Sequence, residues 1–139
     1  MRIQKLPRFR FVTRVFAWPT VLVAGAILNL FRLDRSAVRL FGWAANALPE
    51  LRPLLLAERG MSNARLKRGK DAVRDVDEAI RLAPDNPQFL LYMAWVHEEL
   101  SSASEAIAFY QRAVETRSSE FNESMRQSIR SRIEALRHK

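Results

Sequence analysis

The sequence predicts an all-α protein, in which an N-terminal transmembrane or otherwise hydrophobic helix precedes a short solenoid of helical hairpins with a C-terminal capping helix. Three observations predict this fold class. Residues 15–31 contain no charged side chain. Residues 53–118 resemble themselves when the sequence is shifted by 34 positions, a period typical of stacked helix–turn–helix units. Residues 119–137 carry apolar side chains at helical spacing.

The charge of the chain divides it into two unlike parts. Residues 1–69 hold 13 lysines and arginines against three acids, whereas residues 70–139 hold 10 against 12. The first acid is Asp34, so the N-terminal part is expected to face a negatively charged partner, either a membrane surface or nucleic acid. We divide the chain into a basic tail with an anchor helix (1–35), an amphipathic helix with a linker (36–52) and a repeat domain (53–139).

The uncharged run of residues 15–31 predicts a single membrane-spanning helix. It is slightly shorter than the roughly 20 residues that usually cross a bilayer, and Asn29 is an unfavourable polar residue near its end. The first 33 residues are also rich in arginine and free of acid, as in a mitochondrial transit region, and a buried arm in a large assembly is a further alternative. No cleavage site of a secretory signal follows the run. The predicted anchor consists of Val15, Phe16, Trp18, Val21, Leu22, Val23, Ile27, Leu28, Leu30 and Phe31.

A second apolar stretch, residues 36–48, is too short to span a bilayer. Val38, Phe41, Ala45 and Leu48 recur at helical spacing, and Ser36 is suited to cap such a helix. Two interpretations stay open: an amphipathic helix that lies on the membrane, and a helix that packs on the repeats.

The 34-residue shift aligns apolar, small and acidic positions together. Each predicted helix has an apolar stripe too narrow to be buried alone, so stacked pairs would form one continuous core. Helices are predicted near 53–66, 70–82, 87–100 and 104–117, and a capping helix over 119–137 begins at Ser118 or Ser119. The aligned pairs are Leu56 with Leu90, Gly60 with Ala94, Asp71-Ala72-Val73 with Glu105-Ala106-Ile107, and Ala79 with Ala113.

These positions resemble the tetratricopeptide repeat (TPR) family, with repeats at about 53–86 and 87–118. Arg59 departs from the family pattern, because an apolar residue is usual there. The resemblance implies a concave groove lined by the first helix of each repeat, and it implies that the groove binds a protein partner. The implied groove residues are Met61, Arg65, Leu91, Trp95, Glu98 and Glu99.

The chemistry of the implied groove is apolar, with Trp95 as a candidate hot spot for a partner helix or peptide. The lysines and asparagine with which some TPR proteins hold a C-terminal carboxylate are missing from these positions. A second interpretation stays open, in which the groove residues are covered by the chain's own N-terminal helix.

No catalytic or metal-binding pattern is found in the sequence. The chain has no cysteine, which excludes disulfides and thiolate metal sites, and it has only two histidines. His97 precedes Glu98 and Glu99 but lacks the second histidine of a zinc-protease motif, so we predict that it packs in the core. We expect no enzyme activity, no metal, no cofactor and no small-molecule substrate.

The sequence thus predicts a membrane-anchored TPR adaptor, which acts as an assembly factor or accessory subunit of a membrane protein complex. The expected location is a bacterial inner membrane with periplasmic repeats, or a mitochondrial inner membrane. The alternative is a soluble TPR subunit of a ribonucleoprotein or organellar assembly, in which residues 1–14 form a nucleic-acid-binding arm. The preferred interpretation, the membrane-anchored adaptor, expects no nucleic-acid partner. A TPR scaffold that associates with itself is a third possibility.

Overall fold

The computed structural model describes residues 8–84, 86–116, 118 and 121–138, with side chains from Pro19 onward. The all-α prediction is confirmed, since the described residues form helices and no strand. The helices are α1 (Arg8–Leu30), α2 (Asp34–Ala47), a 3₁₀ turn (Pro49–Leu51), α3 (Arg52–Arg65), α4 (Gly69–Leu82), α5 (Gln88–Glu99), α6 (Ala103–Glu115) and α7 (Glu123–Arg137).

Three successive helix pairs share one turn geometry. Arg32, Lys67 and Ser101 have positive φ angles of 55°, 59° and 62°, and each follows the last turn of a helix. In each case the N–H of the next residue donates to the carbonyl five residues earlier, as from Leu33 to the Leu28 carbonyl at 2.8 Å. This is the hydrogen bond of a Schellman motif, which closes the C-terminus of a helix. The α1–α2 pair is therefore a hairpin of the same kind as α3–α4 and α5–α6.

The first hairpin follows a 35-residue shift relative to the second. Gly25 and Gly60 mark the closest approach in each hairpin: an added Cβ would lie 2.5 Å from Phe41 Cε1 and 2.6 Å from Val76 Cγ2, respectively. Three stacked hairpins meet the usual minimum for a stable repeat protein. The matched positions are Gly25 with Gly60, Ala37 with Ala72, Phe41 with Val76, Ala44 with Ala79, and Pro49 with Pro84.

The prediction that residues 15–31 form a membrane-spanning helix is not supported. Val21 is buried and Leu22 and Leu28 are half-buried, because one face of α1 packs on α2. The opposite face is exposed. Within the described residues, none of the helices combines the length and the apolarity needed to traverse a bilayer. The predicted anchor residues Val15, Phe16 and Trp18, and the arm of residues 1–14, lie outside the described side chains.

The two interpretations of residues 36–48 are resolved by α2, which packs on α1 and α3. Phe41, Ala45 and Leu48 are each no more than 3 % exposed. The stripe predicted to lie on a membrane is therefore part of the protein core. The predicted Ser36 cap is wrong, because α2 already begins at Asp34.

The last helix closes the stack later than predicted. Its cap is Asn122, whose side chain accepts a 2.8 Å hydrogen bond from the Met125 N–H, and not Ser118 or Ser119. The Arg126 guanidinium donates to the carbonyls of Val114 and Thr116 at the end of α6. These bonds satisfy carbonyls that a helix end otherwise leaves unpaired, and they fix α7 against α6.

Candidate partner-binding groove

The predicted groove residues separate into two groups in the structure. Leu91, Trp95 and Glu98 on α5 line one hollow together with residues of α6 and α7, and we call it the α5–α7 hollow. Its volume is about 370 Å³. The other lining residues are Tyr110, Met125, Ser128, Ile129 and Arg132.

The floor of the α5–α7 hollow is apolar and rigidly packed. Leu91 and Ile129 are each 6 % exposed and belong to one core cluster that joins α5, α6 and α7. At the rim, Trp95 is 39 % exposed and Met125 is 41 % exposed. The Trp95 indole packs edge-on against the Tyr92 ring at a centroid distance of 5.3 Å, so its position is held before any partner binds.

Three polar side chains of the hollow, those of Glu98, Tyr110 and Arg132, bond to one another. The Glu98 carboxylate accepts a 2.9 Å hydrogen bond from the Tyr110 hydroxyl and another, also 2.9 Å, from Arg132 Nε. Burial raises the pKa of Tyr110 to about 12, so the hydroxyl stays neutral and can donate this bond at physiological pH. Because Glu98 already pairs with Arg132, the hollow has a neutral character and favours an apolar occupant over a carboxylate.

Met61 and Arg65 lie away from the hollow, in the α3 part of the stack. Met61 packs against the core cluster that contains Val76 and Val96. The Arg65 guanidinium donates to Asp34 at 2.5 Å and to Asn29 at 2.6 Å. The N-terminal hairpin thus covers the α3 half of the predicted groove, whereas the α5 half is open.

A polar network extends from this ion pair across the stack. Asn29 donates to Glu58 at 3.0 Å, and the Tyr92 hydroxyl donates to the same carboxylate at 2.5 Å. Burial, with the charge of Glu58 adding to it, raises the pKa of Tyr92 well above its usual range. The network links α1, α2, α3 and α5 through side chains, so it fixes the N-terminal hairpin on the repeats.

Two other predicted positions have roles outside the hollow. The Glu99 carbonyl accepts a hydrogen bond from the Lys67 ammonium, and this bond links the turns of two successive hairpins. His97 stacks on Phe109 at a centroid distance of 5.5 Å and an interplanar angle of 11°, which confirms the predicted packing role.

A departure from the TPR pattern, Arg59, is explained by a buried partner. Its guanidinium forms two 2.7 Å bonds with the Asp75 carboxylate, which is 2 % exposed. The hydrogen bond to Asp75 raises the pKa of Arg59 further above its ordinary value. Asn63 donates a third bond to this carboxylate at 3.1 Å. An arginine replaces the usual apolar residue here because α4 supplies a buried acid to pair with it.

A larger hollow of about 670 Å³ lies between α4 and the end of α5, and its lining includes Lys70 and Ser102. Its charged side chains pair locally, as in the Arg74–Asp71 and Arg81–Glu78 ion pairs. Across the part of the chain that the structure describes, no three histidine, aspartate or glutamate side chains are placed to hold a metal ion. The α5–α7 hollow is therefore the better candidate, because aromatic and apolar side chains converge there.

Sequence reasoning missed the contribution of α7 to the hollow. One signal was available: Arg132 lies 34 residues after Glu98, which is one repeat length, so α7 occupies the place of the first helix of a further repeat. Compared with protein-family models and with curated proteins, the chain finds no match. Membership of the TPR family therefore stays a prediction.

Proposed function

We propose that the chain is a TPR-like interaction adaptor, an assembly factor or accessory subunit of a membrane protein complex, which holds a partner protein in the α5–α7 hollow. The observation that carries the proposal is the exposed Trp95 beside a buried apolar floor. Tryptophan is one of the three residue types enriched at binding hot spots.

The chemistry of the hollow favours the apolar face of a helix as the partner. The Glu98 carboxylate is occupied by Tyr110 and Arg132, so a partner charge would gain little there. An apolar side chain would instead contact Trp95 and Met125 without leaving a buried polar group unpaired. Amphipathic helices dock in grooves of this kind through a few anchor side chains.

A membrane location is supported by the N-terminal part of the chain. Residues 1–33 carry six basic residues and no acid, and the exposed face of α1 is apolar. The sequence predicts a single span by residues 15–31, with the repeats on the far side of a bacterial inner membrane or in a mitochondrial inner membrane. The packing of one face of α1 on α2 favours attachment through the opposite, exposed face instead. Localisation at a bilayer would raise the effective concentration of the adaptor near its partner.

Site-specific photo-crosslinking tests the hollow directly. A photoreactive phenylalanine at Met125 should crosslink the partner in cell membranes, whereas the same group at Leu82, an equally exposed apolar position on α4, should not. Trp95→Ala should lower the crosslinked yield about thirtyfold, as expected for a hot spot worth about 2 kcal/mol. The matched control is Leu82→Ala. An unchanged yield for a Trp95→Ala protein with normal helical content would refute the proposed binding site.

A further inference from the structure

One face of α1 has no neighbour among the described residues, whereas the equivalent faces of α3 and α5 pack against the preceding hairpin. On α5, Tyr92 and Val96 pack against the preceding hairpin. On α3, Glu58 and Arg65 do the same against α1 and α2. The residues one repeat length earlier on α1 are exposed: Val23 by 58 %, Ile27 by 49 % and Leu30 by 76 %.

The chemistry of this α1 face differs from that of its counterparts. On α3, Glu58 and Arg65 are polar and pair with Asn29 and Asp34 of the preceding hairpin. The α1 face is wholly apolar, and Phe31, which is 67 % exposed, extends it into the turn. A further helical hairpin could not stack on the α1 face through hydrogen bonds and ion pairs like those of Glu58 and Arg65, because the face offers no polar side chain to bond. The face consists of Val23, Ala26, Ile27, Leu30 and Phe31.

Exposed arginines follow the α1 face in the chain, in the turn and in the first half of α2. Arg32, Arg35 and Arg39 are exposed, and none of them joins an ion pair among the described residues. The acid between them, Asp34, is already paired with Arg65. An apolar helix face accompanied by arginines is typical of helices that lie in the interface of an anionic membrane.

We propose that the α1 face docks on the surface of an anionic lipid bilayer, with its apolar side chains at interfacial depth and the arginines at the headgroups. The proposal rests on the membrane location in the proposed function, and it names the lipid surface and the residues that meet it. A second copy of the chain is a poorer occupant, because two faces accompanied by arginines would repel each other.

Flotation of the purified full-length chain with vesicles tests the proposal. The chain should float with vesicles that contain about a third phosphatidylglycerol and stay at the bottom with phosphatidylcholine alone, since its arginines favour anionic headgroups. Ile27→Asp and Leu30→Asp should each weaken binding to the anionic vesicles by about tenfold or more, because they place a charge in the apolar interface. Leu82→Asp introduces the same charge on an exposed position of α4 and should bind as the wild type does.

Three outcomes would overturn the proposal. The first is that the wild-type chain does not float with anionic vesicles. The second is that Leu82→Asp and Ile27→Asp lower vesicle binding equally. The third is that light scattering shows a dimer of the wild-type chain, which Ile27→Asp dissociates. Circular dichroism of each variant shows whether its helices are intact. Trp95→Ala should keep its vesicle binding, so failure of the lipid proposal and failure of the partner proposal are observed separately.

Discussion

Removal of the charge of Asp34 should weaken the docking of the N-terminal hairpin on the repeats. Asp34 accepts a 2.5 Å hydrogen bond from Arg65, and the two side chains are only 10 % and 11 % exposed. Loss of one partner of a fully buried pair costs about 3–5 kcal/mol. Arg65 would keep its bond to Asn29, and the remaining exposure screens part of the charge, so we expect Asp34→Asn to destabilise the fold by about 2–3 kcal/mol.

Urea unfolding followed by circular dichroism measures this loss. Asp77→Asn is the matched control: it makes the same chemical change at an exposed position of α4, where we expect a change within about 0.5 kcal/mol. Hydrogen exchange should show faster exchange of the α1 and α2 amides in Asp34→Asn, since these helices would open first. Equal stability of the two variants would refute the inference that this ion pair docks the hairpin.

Two further predictions concern packing and pH. Gly60→Ala should destabilise the fold by about 1–2 kcal/mol in urea, because its Cβ would lie 2.9 Å from the Ala72 carbonyl oxygen. Gly42→Ala should change the stability by no more than about 0.5 kcal/mol, because the helix propensity of alanine offsets the small shift of the Arg59 guanidinium, which would lie 3.3 Å from the new Cβ and is held by Asp75. Equal effects would contradict the close approach of α3 and α4. Burial raises the pKa values of Tyr92 and Tyr110, the only two tyrosines of the chain. The folded state therefore keeps both hydroxyls protonated at a pH where the unfolded chain loses these protons. The free energy of unfolding should be unaffected below about pH 10 and should decrease as the pH rises towards 12. Tyrosinate absorbance that rises near pH 10 while the helical signal stays native would contradict this.

The repeat helices were predictable because their signal is local. The small residues Gly60 and Ala72 are required where α3 and α4 approach each other, and the same requirement recurs at Ala94 and Ala106. Helix boundaries were less predictable, as the late start of α7 shows. Ser118, Ser119 and Asn122 are all suited to cap a helix, and the spacing of the apolar residues does not choose among them, whereas in the structure the Asn122 side chain accepts from the Met125 N–H.

The N-terminal hairpin is not predictable from composition, because composition does not distinguish a core helix from a membrane helix. Both contain uninterrupted apolar residues, and α1 has too few charges to mark its outer face. Asn29 was judged unfavourable in lipid, yet it bonds both Glu58 and Arg65 in the structure. The 35-residue match of Gly25 to Gly60 would have identified the hairpin, but it differs by one residue from the 34-residue period of the other repeats.

The candidate site was predictable only on α5. Leu91, Trp95 and Glu98 follow from the position of a first helix in a repeat, and the structure brings them together. The pairing of Glu98 with Arg132 and the covering of Arg65 by Asp34 depend on contacts across more than 30 residues. Such contacts are set by how whole helices pack, which the local sequence pattern does not specify.

The two ends of the stack expose different side chains, polar on α7 and apolar on α1. The outer side of α7 exposes Gln127, Arg130 and Glu134, as a terminal repeat in contact with water requires. The outer side of α1 exposes Ile27 and Leu30, which water does not favour. Because the hollow lies beside α7 and the apolar face lies on α1, a bilayer at the first end would leave the hollow at the far end, open to a partner that reaches it from the aqueous side.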